Sequence, residues 1–218
     1  MDKIKLFEQF LEAINKSFKK LIDSLYIIDD IKSLNKNQKI LLHISDTPET
    51  IYPFIFKVID RLEPDYIIHT GDLVDNVKIA AGESLQLYEK GLKKLINELE
   101  KLEKPQIYII PGNHDSKELI DKYVESIHIL KEGSEISIED VSIGIAHYKE
   151  RLAADSILNL YGHDKSLQGN YESSGKKKIY LNGLLNVNII ILPNLEIHEL
   201  SYPLQTDSAR KYKILKLP

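Results

Sequence analysis

Apolar residues recur near the start of the chain in alternating steps of three and four: Ile4, Phe7, Leu11, Ile14, Phe18, Leu21 and Leu25, with Leu6, Phe10 and Ile22 beside them. That spacing predicts an amphipathic helix over residues 2–26. The polar stretch 33–38 reads as a connector. From Lys39 the period changes. Residues 40–44 form a short apolar run suited to a buried strand, and residues 51–62 return to helical spacing, with Pro53 tolerated in a first turn. A strand over residues 66–69, a long helix over 85–102, a strand over 106–110 and a short helix over 119–123 follow. This alternation predicts a largely parallel sheet with helices on its faces. Strands then dominate, over 141–146, 158–161, 178–181, 187–192, 197–200 and 212–217, and predict a second, partly antiparallel sheet packed on the first.

The expected organisation is an N-terminal helix and linker over residues 1–38 and one domain over 39–218. A chain of 218 residues with 43% hydrophobic and 28% charged residues is ordinary for a globular protein. It has no cysteine, so disulfides and thiolate ligands are excluded and any metal must sit on His, Asp, Glu or Asn. The net charge of −4 gives no support to non-specific nucleic-acid binding. No apolar stretch approaches the length of a membrane span, and Asp2, Lys3, Lys5 and Glu8 interrupt any signal-peptide core. A cytoplasmic protein is expected.

Residues able to bind metal or move protons stand just after predicted strands. They are Asp46 in Ser45-Asp46-Thr47-Pro48, Asp72 and Asp75 in Gly71-Asp72-Leu73-Val74-Asp75, Gly112-Asn113-His114-Asp115, His147, and Gly162-His163-Asp164-Lys165. Loops at strand ends converge on one crevice in such sheets. Glycines before Asp72, Asn113 and His163 permit tight turns beside the functional side chain. Mixed oxygen and imidazole donors suit Mn²⁺ first, with Fe²⁺, Zn²⁺ or Ni²⁺ as alternatives, over Ca²⁺. Isolated histidines elsewhere, His128 and His198, have no such context, and His69 reads as a satisfied core histidine.

The order Asp, Gly-Asp-x-x-Asp, Gly-Asn-His-Asp, His, Gly-His over residues 46–163 resembles the calcineurin-like metallophosphoesterases. The resemblance implies a two-sheet αββα sandwich, an α/β fold, and hydrolysis of phosphomonoesters or phosphodiesters at two metals. It implies that Asp72 bridges both metals, that Asn113, His147 and His163 complete the second, that His114 protonates the leaving oxygen and that Asp75 orients it. Asp46 matches the first metal's carboxylate. That site departs from the pattern: the family expects His where this chain has Pro48 and again where it has Lys165. Both departures fall on one metal, so one well-formed divalent site is expected. Lys165 can supply a positive charge between Asp46 and Asp72 and hold a phosphoryl oxygen. Glu49 is a candidate for the vacant position if its turn folds back; His43, three residues before Asp46 on a strand, faces the other way. Substrate contacts are expected from Lys165, Asn113 and Arg151, and the substrate is expected to be a small, accessible phosphoester. The N-terminal helix either docks on its own domain or makes a homo-oligomer. The alternative function is a catalytically weak or inactive binding scaffold on the same fold.

Overall fold

The computed structural model describes residues 25–34, 38–165, 169–173 and 176–210. Almost all of the helix read over 2–26, and the strand read over 212–217, lie outside the described residues. The first element of the described residues is a helix α1 (Tyr26–Leu34), which runs into the connector expected from residue 33. Leu25, Ile28 and Ile31, spaced in threes, make its buried stripe.

The first sheet has six strands: β1 (Lys39–Ile44), β2 (Tyr66–His69), β3 (Gln106–Ile109), β4 (His128–Ile129), β10 (Asn186–Leu192) and β11 (Glu196–Ser201), in the order β11-β10-β1-β2-β3-β4. The run β1-β2-β3-β4 is parallel, and β10 and β11 add antiparallel. The second sheet has five: β5 (Ser134–Ile138), β6 (Val141–Ile145), β7 (Leu158–Tyr161), β8 (Gly169–Ser173) and β9 (Lys176–Asn182), in the order β5-β6-β7-β9-β8. There β6, β7 and β9 are parallel. Helices α2 (Tyr52–Leu62), α3 (Leu85–Leu99) and α4 (Lys117–Tyr123) join α1 on the outer face of the first sheet; a short α5 (Thr206–Ala209) closes the described chain. This is the expected mixed α/β sandwich of two sheets.

Alternation along each strand makes two cores. Leu42, Ile44, Ile67 and Ile107 face the helices with Ile55, Val58, Leu92 and Ile96. Leu41, Ile68, Ile190 and Leu192 face the second sheet and meet Ile143, Ile145, Leu158, Leu160 and Ile179.

Register aligns the strand ends. Ile44 pairs with His69 and His69 with Ile109, while Ile145 pairs with Leu160 across the other sheet. Pairing continues into the loops: Asp46 N–H bonds Gly71 O at 2.9 Å and Thr47 N–H bonds Asp72 O at 3.0 Å. The loops that carry Asp46, Asp72, Asn113, His147 and His163 therefore leave both sheets side by side at one edge of the sandwich.

Candidate metal centre

Three non-glycine residues here adopt left-handed backbone: Asp46 at φ 50°, Asp72 at φ 54° and His163 at φ 67°. Each such residue costs on the order of 1–2 kcal/mol and persists only where its surroundings dictate it. Gly71, at φ 102°, opens the approach: a Cβ there would lie 2.7 Å from His147 Nδ1 and from Gly112 backbone. A Cβ at Gly112 would lie 2.3 Å from Asp72 Oδ1, so these glycines let the metal-facing loops touch.

At the second metal position, His147 Nδ1 donates to Thr70 O at 2.7 Å. That bond fixes the tautomer and leaves Nε2 as a bare lone pair. Nε2 faces Asn113 Oδ1 at 3.0 Å, His163 Nδ1 at 3.2 Å and Asp72 Oδ1 at 3.7 Å. Donor atoms of Asp72, His147 and His163 all lie within 4.8 Å of one another. An imidazole nitrogen, an amide oxygen and a carboxylate oxygen converge here as a donor set that could hold a metal ion. The donors are those that suit Mn²⁺, Fe²⁺ or Zn²⁺, so the residues fit a divalent metal. Burial pulls His147 down, but the charges of Asp46 and Asp72 outweigh it and its pKa is raised. Burial, reinforced by neighbouring His147, lowers His163.

The first position is built differently from expectation. Pro48 is buried and leads into a 3-10 turn (Glu49–Ile51), and Glu49 points outward to Lys94 at 3.2 Å. The turn does not fold back. Lys165 lies on the surface with Nζ 3.0 Å from Asp207, its side chain 55% exposed, while Asp46 and Asp72 are buried. Its expected place between those carboxylates is thus corrected: the bend after His163 carries it out to α5. His43 is buried, as the strand alternation required, between Thr70 Oγ1 and Asn188 Nδ2, both at 3.1 Å.

The expected Asp75–His114 pair is not formed. Asp75 N–H bonds Thr47 O at 3.1 Å, which ties the residue to the loop after β1, and neither its Oδ2 nor His114 Nδ1 has a hydrogen-bond partner. Its carboxylate joins those of Asp46 and Asp72, with one oxygen of each within 4.8 Å of the others. Oδ1 accepts from the Lys78 ammonium; Oδ2 is buried without a hydrogen-bond partner. Burial first, then the charges of Asp46 and Asp72, push Asp75 up to about 9. His114 is anchored by its N–H to Asp72 Oδ1 at 2.9 Å, and its Nδ1 has no partner. Burial lowers its pKa. Arg151 reaches the rim: its guanidinium lies 5.5 Å from the Tyr148 ring, which itself lies 4.2 Å from the His163 ring.

Several residues support the metal-facing loops from behind. Asp115 braces two loops by accepting from Leu73 N–H at 2.9 Å, Gly112 N–H at 2.7 Å and Tyr88 OH at 3.0 Å. Arg210 is buried and donates to Asp46 O at 2.7 Å and Leu184 O at 2.8 Å. Ser45 OH donates to Asp46 Oδ2 at 2.6 Å, and His163 N–H to the same oxygen at 3.1 Å. Asp115 sits inside a motif and was legible as part of it; Arg210 lies 164 residues from the carbonyl it holds.

The fold and this centre define a metal-dependent phosphoesterase class. Residues 40–215 match the family model of the calcineurin-like phosphoesterases, and the chain belongs to that family. Among solved structures it resembles Yfce, a phosphoesterase from E. coli, with 14% identity and a TM-score of 0.52 over 75% of this chain and 100% of that one. A metallophosphoesterase from Sphaerobacter thermophilus is also similar, at 13% identity and a TM-score of 0.41 over 80% and 93%. At 14% identity the likeness to Yfce concerns fold alone. No curated protein sequence matches the chain. Among the described residues no helix is long and apolar enough to cross a membrane.

Proposed function

We propose that the chain hydrolyses small phosphoric mono- or diesters, using a divalent metal held by Asp72, Asn113, His147 and His163. The observation that carries this reading is the His147 ring, tied through Nδ1 to Thr70 so that Nε2 meets the donors of Asn113, His163 and Asp72. Mn²⁺ suits the mixed donor set best, with Fe²⁺, Zn²⁺ or Ni²⁺ as alternatives. Bound there, the metal supplies Lewis-acid polarisation of the phosphoryl group and acidified water. Asn113 and the exposed Arg151 at the rim offer donors to phosphoryl oxygens. His114, beside Asp72, is the candidate acid for the leaving oxygen. Burial keeps it neutral in the free site, so an arriving anionic ester is what favours its charged form. The domain division at residue 38, a cytoplasmic setting and self-association through the N-terminal helix belong to the same reading.

A second reading is a scaffold on the same fold. Pro48 and the outward Lys165 favour it, because neither brings a donor to the first position. Elemental analysis after Mn²⁺ loading, with hydrolysis of nitrophenyl phosphomonoester and diester, separates the two. Metal bound tightly with hydrolysis falling at least a hundredfold in His114→Ala supports the hydrolase. Metal bound with no hydrolysis of either ester by the wild type supports the scaffold.

A further inference from the structure

The chain has no histidine at the two places where the first metal position would take one, yet that position is not bare. Asp46, Asp72 and Asp75 present three carboxylates in mutual reach, and all three residues are buried. Two of the carboxylates are already engaged by neutral donors: Asp46 Oδ2 by Ser45 and His163 N–H, Asp72 Oδ1 by His114 N–H. Asp75 differs. One of its oxygens takes the Lys78 ammonium, whose side chain is only 15% exposed, and the other is buried with no partner. A buried carboxylate oxygen left unpartnered is costly. A second metal ion is expected of this family, and the unpartnered oxygen belongs to the one residue that the sequence pattern assigns elsewhere.

We propose that Asp75 is a metal ligand, and that with Asp46 and Asp72 it rebuilds the first position as an all-oxygen site for a hard cation. This rests on the phosphoesterase reading only for the presence of the neighbouring metal. The consequence is chemical. The second position carries two imidazoles and selects Mn²⁺, Fe²⁺ or Zn²⁺; the first carries carboxylates alone and suits Mg²⁺ or Mn²⁺. The two positions share Asp72, so one chain holds two cations of different preference. Lys78 is the counter-ion of Asp75 within the three-carboxylate position, and a divalent ion entering there competes with its ammonium. A fixed positive charge beside a cation site weakens that site. Lys78 therefore sets the concentration at which the first position fills.

The test uses metal-free full-length protein titrated with Mn²⁺, with bound metal read by elemental analysis and by electron paramagnetic resonance. The wild type is expected to bind two Mn²⁺ per chain, the weaker one displaced by millimolar Mg²⁺ and the tighter one retained. Asp75→Asn is expected to bind one, with the spectrum of an isolated ion. Lys78→Met is expected to bind two, with the weaker site tightened at least threefold. Three results would overturn the proposal: a wild type that takes only one Mn²⁺ at millimolar concentration, Mg²⁺ that displaces both ions or neither, or Asp75→Asn that still takes two. The Mg²⁺ arm needs no variant and stands even if Asp75→Asn fails to fold. A chain that binds two ions but cleaves no ester removes the hydrolase reading and leaves this one intact. A chain that cleaves esters with one ion does the reverse.

Discussion

Arg210 shows how much a residue outside any motif contributes to the centre. Its guanidinium is buried at 1% exposure and bonds the carbonyls of Asp46 and Leu184, with Ser45 O at 3.4 Å and the ring of Tyr202 at 4.6 Å. The carbonyl it grips belongs to Asp46, whose backbone is left-handed. Without the guanidinium those buried carbonyls lose a charged donor, at about 1–3 kcal/mol each. Arg210→Met should therefore lower unfolding free energy by about 3 kcal/mol in urea titration of the metal-free protein. Arg210→Lys should recover less than half of that, because an ammonium cannot span the carbonyls that the planar fork reaches. A loss under about 1 kcal/mol in Arg210→Met would show that Asp46 holds its conformation without it. The motif histidines were legible because His147 and His163 end predicted strands. Arg210 was not, because nothing local distinguishes it from a solvated surface arginine.

At the scale of elements, α3 and the metal-bearing loop after β2 meet at a glycine. Gly91 lies mid-helix, where alanine would ordinarily stabilise by about 1 kcal/mol. Here a Cβ would stand 2.5 Å from Val74 Cγ1, two residues beyond Asp72. Close approach wins over propensity: overpacking costs typically about 1–3 kcal/mol. Gly91→Ala should lower the thermal midpoint. Val74→Ala in the same chain should relieve it, so that a double-mutant cycle shows favourable coupling of at least about 0.5 kcal/mol. Additive effects would place the strain elsewhere. Element boundaries were read well where the period was long and clear. The spans 66–69 and 158–161 match β2 and β7, and 51–62 meets α2 after a 3-10 turn. Short elements escaped. The two-residue β4 and the amphipathic β5, with polar residues on one face, carry too few apolar positions to show a period. Helix α1 was not among the expected elements: the helical stripe was followed only to Leu25 and residues 27–32 had no assignment, although Ile28 and Ile31 are buried in the core.

For the whole molecule, two neutral histidines buried in the sandwich make stability depend on pH. Burial, then the neighbouring His69, lowers His43 to about 3, and burial likewise takes His69 to about 3. Both folded values lie below the unfolded value of about 6.5. Between those limits the unfolded chain binds protons at these two positions that the folded chain refuses, so the stability these histidines contribute rises with pH and is lost as pH falls from about 6.5 toward 3. Each histidine contributes a slope of up to about 1.4 kcal/mol per pH unit. Asp75, held near 9, and Asp115, held near 7, keep protons in the folded state that the unfolded chain has lost, and so act in the opposite sense over the same range. In urea titrations of metal-free protein from pH 7 to 4.5, His43→Gln should therefore change the pH slope relative to the wild type by up to about 1.4 kcal/mol per pH unit, in the direction of less stability lost on acidification. An unchanged slope in that variant would mean that other groups dominate acid unfolding.

Read from residues alone, strand-end Asp46, Asp72, Asn113, His147 and His163 were enough to place the family and the two-sheet fold. They suffice because strand periodicity is local and because functional loops must follow strand ends. The roles of Asp75, Lys78, Lys165 and Arg210 were not accessible that way. Spacing in Gly71-Asp72-Leu73-Val74-Asp75 says that Asp75 is near the site, not which neighbour it faces. That choice is made by Thr47 O, which holds the Asp75 backbone beside Asp46, and by Lys78, whose ammonium meets the carboxylate from its own loop. Side-chain direction in a loop depends on contacts between segments far apart in the chain, and those exist only once the two sheets have packed.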